Sequence, residues 1–223
     1  MIDLHTHSLF SDGEVVPSEL IQRARIKGLR AIAITDHVDA SNLEFVIRAM
    51  VKFVRSLQGH DVIPVLAGIE LTHVPPTQVL SLVRKGRRLG AQLVVVHGET
   101  VVEPVARGTN RAAIMAGSDI LAHPGLISAE EVKLAANKGV ALEISSRRGH
   151  SLTNGHVARL ARRWGARLVL NTDAHSPRDL ISLDMAEIVA KGAGLSKAEF
   201  IEMRKNSEAL FQKARRRKGR GVT

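Results

Sequence analysis

Two histidines one residue apart, His5 and His7 in Asp3-Leu4-His5-Thr6-His7, lie near the start of the chain on an apolar, extended segment. On a strand, residues i and i+2 point to the same side, so both imidazoles can grip one metal ion. A single His-x-His carries little information. Here, residues of the same kind recur at the ends of successive β-branched runs. Asp36-His37 follows Ile34-Thr35, Glu70 follows Gly68-Ile69, His97 follows Val94-Val95-Val96, His123 follows Leu121-Ala122, and Asp173 with His175 follows Leu170-Asn171-Thr172. Asp12, in Ser11-Asp12-Gly13, stands on the loop after the first run and can bend back over it. A lone histidine or aspartate at a strand end is usually a cap or an ordinary hydrogen-bonded group. Nine of these, all but Asp36, gathered in one place would be an unstable concentration of buried charge unless cations neutralised it, so a metal centre is expected.

The elements that must position these residues alternate regularly. Strands are predicted at Ile2–His5, Arg30–Thr35, Val62–Glu70, Leu93–His97, Asp119–His123, Val140–Ser145 and Arg167–Asp173. Helices are predicted at Pro17–Lys27, Asn42–Leu57, Thr77–Leu89, Val101–Ala116, Ala129–Asn137, Thr153–Trp164, Arg178–Ala190 and from Lys197 to about Lys213. Pro17 suits a first helical turn, Ser128 with Glu131 forms a capping box, and Gly90, Gly117, Gly139 and Gly165 mark passages from helix to strand. Unbroken βα units predict a parallel sheet with helices outside it, close to a (β/α) barrel one unit short of eight. In such a barrel all the strand ends named above meet on one rim, where active sites of these folds lie. His60 and His156 fall away from that rim and read as surface residues, Asp3 and Asp36 as supports for the ligands, and His73 as an ordinary polar residue.

Composition bounds the remaining choices. The 223 residues are 44% hydrophobic but only 3% aromatic, which fits the aliphatic core of a parallel sheet. There is no cysteine, so any metal must sit on His, Asp or Glu, a donor set that admits Zn, Mn or Fe. With no signal-peptide pattern and no run of membrane-spanning length, a soluble, cytoplasmic protein that does not engage a membrane is expected. The net charge is +10, of which six charges come from Lys213, Arg215, Arg216, Arg217, Lys218 and Arg220, leaving +4 on residues 1–212. One domain over residues 1–212 and a basic, disordered tail over 213–223 are therefore predicted. Nucleic acid is a conceivable partner for such a tail but is not favoured, because the chain has no Tyr and one Trp for base stacking. The sequence carries no signal for oligomeric state.

Taken together, Asp3-Leu4-His5-Thr6-His7, Ser11-Asp12-Gly13, Thr35-Asp36-His37, Gly68-Ile69-Glu70, His97-Gly98, Ala122-His123-Pro124 and Asn171-Thr172-Asp173-Ala174-His175 resemble the PHP (polymerase and histidinol phosphatase) family over nearly the whole chain. The resemblance implies a distorted (β/α)7 TIM-like barrel and three divalent metal ions. It assigns His5, His7, Glu70 and Asp173 to one ion, with Glu70 bridging to a second held by His97 and His123, and Asp12, His37 and His175 to the third. Some members carry His where this chain has Asp12, a change that alters metal preference and site charge. All nine positions are filled, so nothing suggests a degenerate copy.

Three divalent ions against Asp12, Glu70 and Asp173, with a bridging hydroxide, leave the rim about +2, the complement of a phosphate monoester dianion. Clustered metals lower the pKa of bound water from 15.7 towards neutrality, and the hydroxide can attack phosphorus in line. The expected reaction is metal-dependent phosphoester hydrolysis, with His5, His7, Glu70 and Asp173 acting through that hydroxide. The sixth run ends in Glu143-Ile144-Ser145-Ser146-Arg147-Arg148-Gly149-His150 and contributes no ligand of the set. Arg147 and Arg148 suit a phosphate clamp, and His150 a substrate hydrogen bond or a proton for the leaving group.

A small phosphate monoester is thus the expected substrate, L-histidinol phosphate being the one the resemblance suggests first. Nucleotide or oligonucleotide phosphoesters are the alternative, because the family also includes nucleases and polymerase-associated domains. Amidohydrolase barrels likewise begin with His-x-His but typically bridge their metals with a carbamylated lysine, where this chain offers Glu70 and His97. A non-catalytic nucleic-acid-binding subunit, like the barrel of archaeal ribonuclease P proteins, would not need nine intact ligands.

Overall fold

Short segments of Val, Ile, Leu and Ala, buried along their whole length, build the sheet, because strands covered on both faces need no polar alternation. The computed structural model describes residues 1–217. Its strands are β1 (Ile2–Asp3), β2 (Ala31–Ile34), β3 (His37–Val38), β4 (Val65–Leu71), β5 (Leu93–His97), β6 (Ile120–Ala122), β7 (Ala141–Ser145) and β8 (Leu168–Asn171). Its helices are α1 (Pro17–Ile26), α2 (Leu43–Ser56), α3 (Pro76–Arg88), α4 (Thr109–Ala116), α5 (Ala129–Lys138), α6 (Asn154–Trp164), α7 (Leu183–Gly192) and α8 (Lys197–Arg215). All pairings are parallel in the order β1-β2-β4-β5-β6-β7-β8, with β3 added beside β4, which gives the seven βα units of a nearly closed barrel.

The ends of the sheet meet through side chains as well as backbone. Leu4 N donates to Asn171 Oδ1 at 2.9 Å, and the Thr172 hydroxyl donates to the Asp3 carboxylate at 2.5 Å. Further up, Asp173 N donates to His5 O at 2.9 Å and His7 N to Ala174 O at 2.8 Å. The seam therefore lies directly beneath the strand ends that carry His5, His7, Asp173 and His175.

Alternation along the strands separates two apolar layers. Ile32, Ile34, Ala67, Ile69, Val94 and Val96 face the helices, whereas Ala31, Ala33, Leu66, Leu93, Val95, Ile120 and Val169 fill the barrel. Continuing that inward register brings Glu70, His97 and Glu143 to the interior above the apolar filling. Gly68 is required on β4, since a Cβ there would stand 2.6 Å from the Thr35 methyl group. The filling is completed from below by Phe211 and Ala214 of α8.

Four predicted elements are corrected. The second predicted strand continues, after Thr35 N bonds to Thr6 O, into the short β3 beside Glu70. The helix predicted from Val101 begins only at Thr109: Pro104 has no N–H to give, and Gly108 holds φ 91°. The helix predicted from Arg178 starts at Leu183, where the Ser182 hydroxyl accepts from Met185 N. Finally, α8 carries Lys213, Ala214 and Arg215 in regular helix, and Arg217 bonds to Asp119 Oδ2 and Gln92 O, so the disordered tail predicted from Lys213 does not begin there. The rest of that tail, residues 218–223, lies outside the described residues. Among the described residues no helix is long and apolar enough to cross a membrane.

Candidate metal centre

The upper rim of the barrel gathers all nine predicted ligands. Register sets His37 of β3 beside Glu70 of β4, and His97 at the tip of β5 beside Ala122. His123 comes next after the inward-facing Ala122, so a regular strand would turn its ring outward. Its φ of 26° instead bends the chain and leaves Nε2 3.8 Å from Glu70 Oε1 and 3.6 Å from Asp173 Oδ2. Asp173 is bent likewise, with φ 54°. Left-handed backbone at non-glycine residues is costly and persists where surrounding structure demands it.

Glu70 is the hub. Its Oε1 lies 3.2 Å from His5 Nε2, and its Oε2 lies 2.7 Å from His37 Nδ1 and 3.6 Å from His7 Nε2. Asp173 Oδ1 stands 3.2 Å from His7 Nε2 and 3.6 Å from His5 Nε2. Asp12 reaches back over the rim to within 3.2 Å of His175 Nε2 and 3.5 Å of His37 Nε2. Donor atoms within 4.8 Å of one another form overlapping sets: His7, Asp12, His37 and His175; His5, His7 and Glu70; His5, His123 and Asp173; and His97, His123 and His150. Above them lies a cavity of about 220 Å³ bordered by Asp12, His37, His97, Arg147, His150 and Asp173.

Two observations show that this donor set fits cations. First, two histidines have Nδ1 tied to an oxygen: His5 to Glu143 Oε2 at 2.8 Å and His97 to Gly98 O at 3.1 Å. Such a partner puts the proton on Nδ1 and leaves the Nε2 lone pair for a metal. Second, His5 Nε2, both ring nitrogens of His7, His123 Nδ1 and Glu70 Oε1 are buried without a hydrogen bond, and orphans of this density in one place call for a ligand.

The electrostatics agree. Burial opposes charge on His5, yet Glu143, Glu70 and Asp173 around it hold its pKa well above the ordinary value. Burial and then His37 push His7 well below it. Burial, opposed by His5 and assisted by the negative charges of Glu70 and Glu143, lifts Asp173 to about 7. Carboxylates and imidazoles thus compete for too few protons at neutral pH, a conflict that divalent cations resolve.

The other predicted residues divide. Arg147 is at the rim: its Nη1 donates to Asp173 O at 3.0 Å and lies 2.8 Å from His175 Nδ1. Arg148 is exposed and joins no hydrogen bond or ion pair among the described residues. His150, expected to meet substrate, is 4% exposed and sits within the cluster. Asp3 and Asp36 are braces, Asp3 under Thr172 and Asp36 accepting from Ser8 N, Ser8 Oγ and Ser11 Oγ. His60 is exposed, and His156 bonds to Ile127 O away from the rim.

Two carboxylates were not anticipated. Glu143, in the middle of β7, orients His5 and accepts from Asn171 Nδ2 at 2.9 Å. Its signal was its place two residues below the strand end, on the inward face. Glu103, on the loop before α4, touches His97 Nε2 at 3.0 Å, His73 Nε2 at 3.1 Å and His150 Nε2 at 3.4 Å. The hydrogen bond from His97 leads the effects that hold its pKa down to about 2. With Glu103 it is His73 that proves to border the cavity.

The PHP domain model matches residues 3–114, from the first histidine pair through β5 and into α4. The chain belongs to the PHP domain family. Relatives of this PHP protein include an uncharacterised protein of Methanocaldococcus jannaschii, 49% identical over 199 residues, which cover 88% of this chain and 91% of the relative. A probable phosphatase of Edwardsiella ictaluri is 31% identical over 202 residues, 80% of each chain. In architecture, the PHP barrel resembles a histidinol phosphate phosphatase from Lactococcus lactis solved with zinc, L-histidinol and phosphate. The TM-score is 0.60 at 20% identity, covering 87% of this chain and 94% of the other.

Proposed function

We propose that the protein hydrolyses a small phosphate monoester at a centre of three divalent ions. It is a metal-dependent phosphoric ester hydrolase of the PHP family. The observation that carries the reading is the gathering of nine His, Asp and Glu side chains, Glu70 and Asp173 among them, in overlapping donor sets at one rim, with ring nitrogens left free of hydrogen bonds. The relatives support it, since the Edwardsiella ictaluri protein is named a probable phosphatase and the Lactococcus lactis structure holds zinc and phosphate.

In this reading His5, His7, Glu70 and Asp173 hold one ion, Glu70 extends to a second with His97 and His123, and Asp12, His37 and His175 hold the third. Zn, Mn and Fe all suit a donor set of imidazole and carboxylate without sulfur. Bound divalent ions supply charge for the phosphoryl oxygens and acidify water at neutral pH. The chain's own groups do the rest. Glu143 fixes the ring of His5, and Asp3 and Asp36 pin the two loops that carry the ligands. Arg147 is placed by the Asp173 carbonyl at the cavity edge, where a guanidinium can meet a phosphate in bidentate fashion. Arg148 and His150 are not assigned to substrate, the first for want of contact with the rim and the second for its burial.

The test is a screen of metal-reconstituted protein against histidinol phosphate, nucleoside monophosphates and short oligonucleotides. Monoester hydrolysis abolished by chelation and restored by metal is expected. Protein loaded with ions yet inert towards every monoester would overturn the reading, and turnover confined to oligonucleotides would move it to a nuclease.

A further inference from the structure

Of the histidines at the rim, His150 is the one buried residue outside the nine predicted ligands, and its surroundings are not those of an ordinary core histidine. It opens the 3-10 turn His150–Thr153 that follows β7, and the turn brings its ring face to face with His123, at 4.0 Å between centroids and 15° between planes. His97 meets the pair edge-on, 4.4 Å from His123 and 5.9 Å from His150. One donor atom from each of the three rings lies within 4.8 Å of the others, and all three residues are buried.

The two ring nitrogens of His150 are treated differently. Nδ1 is held by the Thr100 hydroxyl at 2.8 Å. Nε2 faces Glu103 Oε1 at 3.4 Å and Asp173 Oδ2 at 3.7 Å, both beyond the length of a good hydrogen bond. His5 and His97 share the first part of this arrangement, Nδ1 anchored to an oxygen and Nε2 turned to the centre, where each meets a carboxylate. A satisfied core histidine would have both nitrogens at hydrogen-bonding distance. The carboxylate of Glu103 lies against Nε2 of both His97 and His150, marking the point towards which both rings are aimed.

We propose that His150 is a tenth metal ligand, which with His97 and His123 makes a three-imidazole cation site at the cavity mouth, Thr100 setting its ring. The inference rests on the metal-dependent reading above and deepens it. The second ion, otherwise given only two histidines and a shared carboxylate, gains a third neutral nitrogen. Imidazole-rich coordination prefers Zn, Fe or Cu to Mg or Ca.

The test counts and titrates metal rather than turnover. Metal-free full-length protein is titrated with zinc by calorimetry, and bound zinc is counted by elemental analysis, for wild type, His150→Ala and Thr100→Val. The distant His156→Ala serves as control. His150→Ala is expected to hold one ion fewer than wild type, or to bind one at least tenfold more weakly, with the remaining ions unchanged. Thr100→Val should weaken the same ion by about tenfold or more, the usual consequence of removing a partner that orients a ligand. Wild-type number and affinity in His150→Ala would overturn the tenth ligand and leave the metal-dependent reading intact. Wild type that binds no zinc would overturn both. Should His150→Ala fail to fold, Thr100→Val decides alone, and wild-type affinity in it overturns the proposal.

Discussion

Glu143 Oε2 stands 2.8 Å from His5 Nδ1, and both side chains are fully buried. The carboxylate comes from the middle of β7 and the imidazole from the segment after β1, so one hydrogen bond crosses the barrel interior and fixes which nitrogen of His5 faces the centre. Glu143→Gln keeps the shape but loses the charge. Metal affinity is expected to fall by about 10- to 100-fold with the fold retained. Zinc titration alongside near-ultraviolet circular dichroism checks this, and unchanged affinity would remove Glu143 from the account of the site.

Arg147 should matter for substrate and not for metal. Loss of a charge-assisted hydrogen bond is worth about 1.5–3 kcal/mol, so Arg147→Ala should lower kcat/KM roughly ten- to over a hundredfold while metal content stays constant. Arg147→Lys should recover only part, because an ammonium cannot reproduce the fork of a guanidinium. Normal kinetics of Arg147→Ala on every phosphomonoester tested would refute the clamp.

At the opposite end of the barrel, Asp119 is 4% exposed and shared by Arg87 and Arg217. Burial alone would raise its pKa, but the hydrogen bond from Arg217 and the charge of Arg87 bring it below the ordinary value. A depressed carboxylate pKa gives stability that is complete above the unfolded value near 4 and is lost as pH falls through the folded value. Arg217→Ala should therefore cost about 1.5–3 kcal/mol in urea unfolding at pH 7. The gap to wild type should narrow below about pH 4. A gap independent of pH would show that Arg217 acts by packing alone.

Phe211 plugs the barrel from below, 2% exposed, against Leu66, Leu93 and other interior residues. Phe211→Ala should destabilise by about 3–5 kcal/mol. Since the proposed ligands occupy the other end, zinc affinity of the folded variant should match wild type. A large loss of affinity at full folding would show that the plug supports the rim.

The histidine pair, the strand-end His, Asp and Glu residues and the βα alternation were legible because each is written locally: a side chain able to bind metal directly follows an apolar run. What escaped depended on distance or on competing signals. Glu143 looks like any glutamate within a strand until the barrel closes and His5 arrives from the far end of the chain. Glu103 sits in a stretch, Val101-Val102-Glu103, whose apolar pattern suggests a helix, and only Pro104 and Gly108 argue for the loop that the structure has. Charge at Lys213, Arg215, Arg216 and Arg217 suggested a disordered tail. Against it stood an apolar stripe at helical spacing, Phe200, Met203, Phe211 and Ala214, which buries α8 to its last turn. His150 was visible as a site residue, but its burial came from the turn after β7, which the sequence does not advertise.

The seam between β1 and β8 has a consequence for how the chain becomes a protein at all. Asp3 and Thr172, which close the barrel, are 169 residues apart, and folding that waits on contacts of such separation is slow. During synthesis His5 and His7 emerge first, yet Asp173 and His175, which share their rim, leave the ribosome only after six of the eight described α-helices, α1 to α6, and all eight described strands have been made. Until then His5, His7 and Glu70 lack Asp173, and Asp12 and His37 lack His175. The chemistry of the rim is thus conferred in a single late event, and a nascent chain stopped short of β8 has most of its barrel and none of its finished centre.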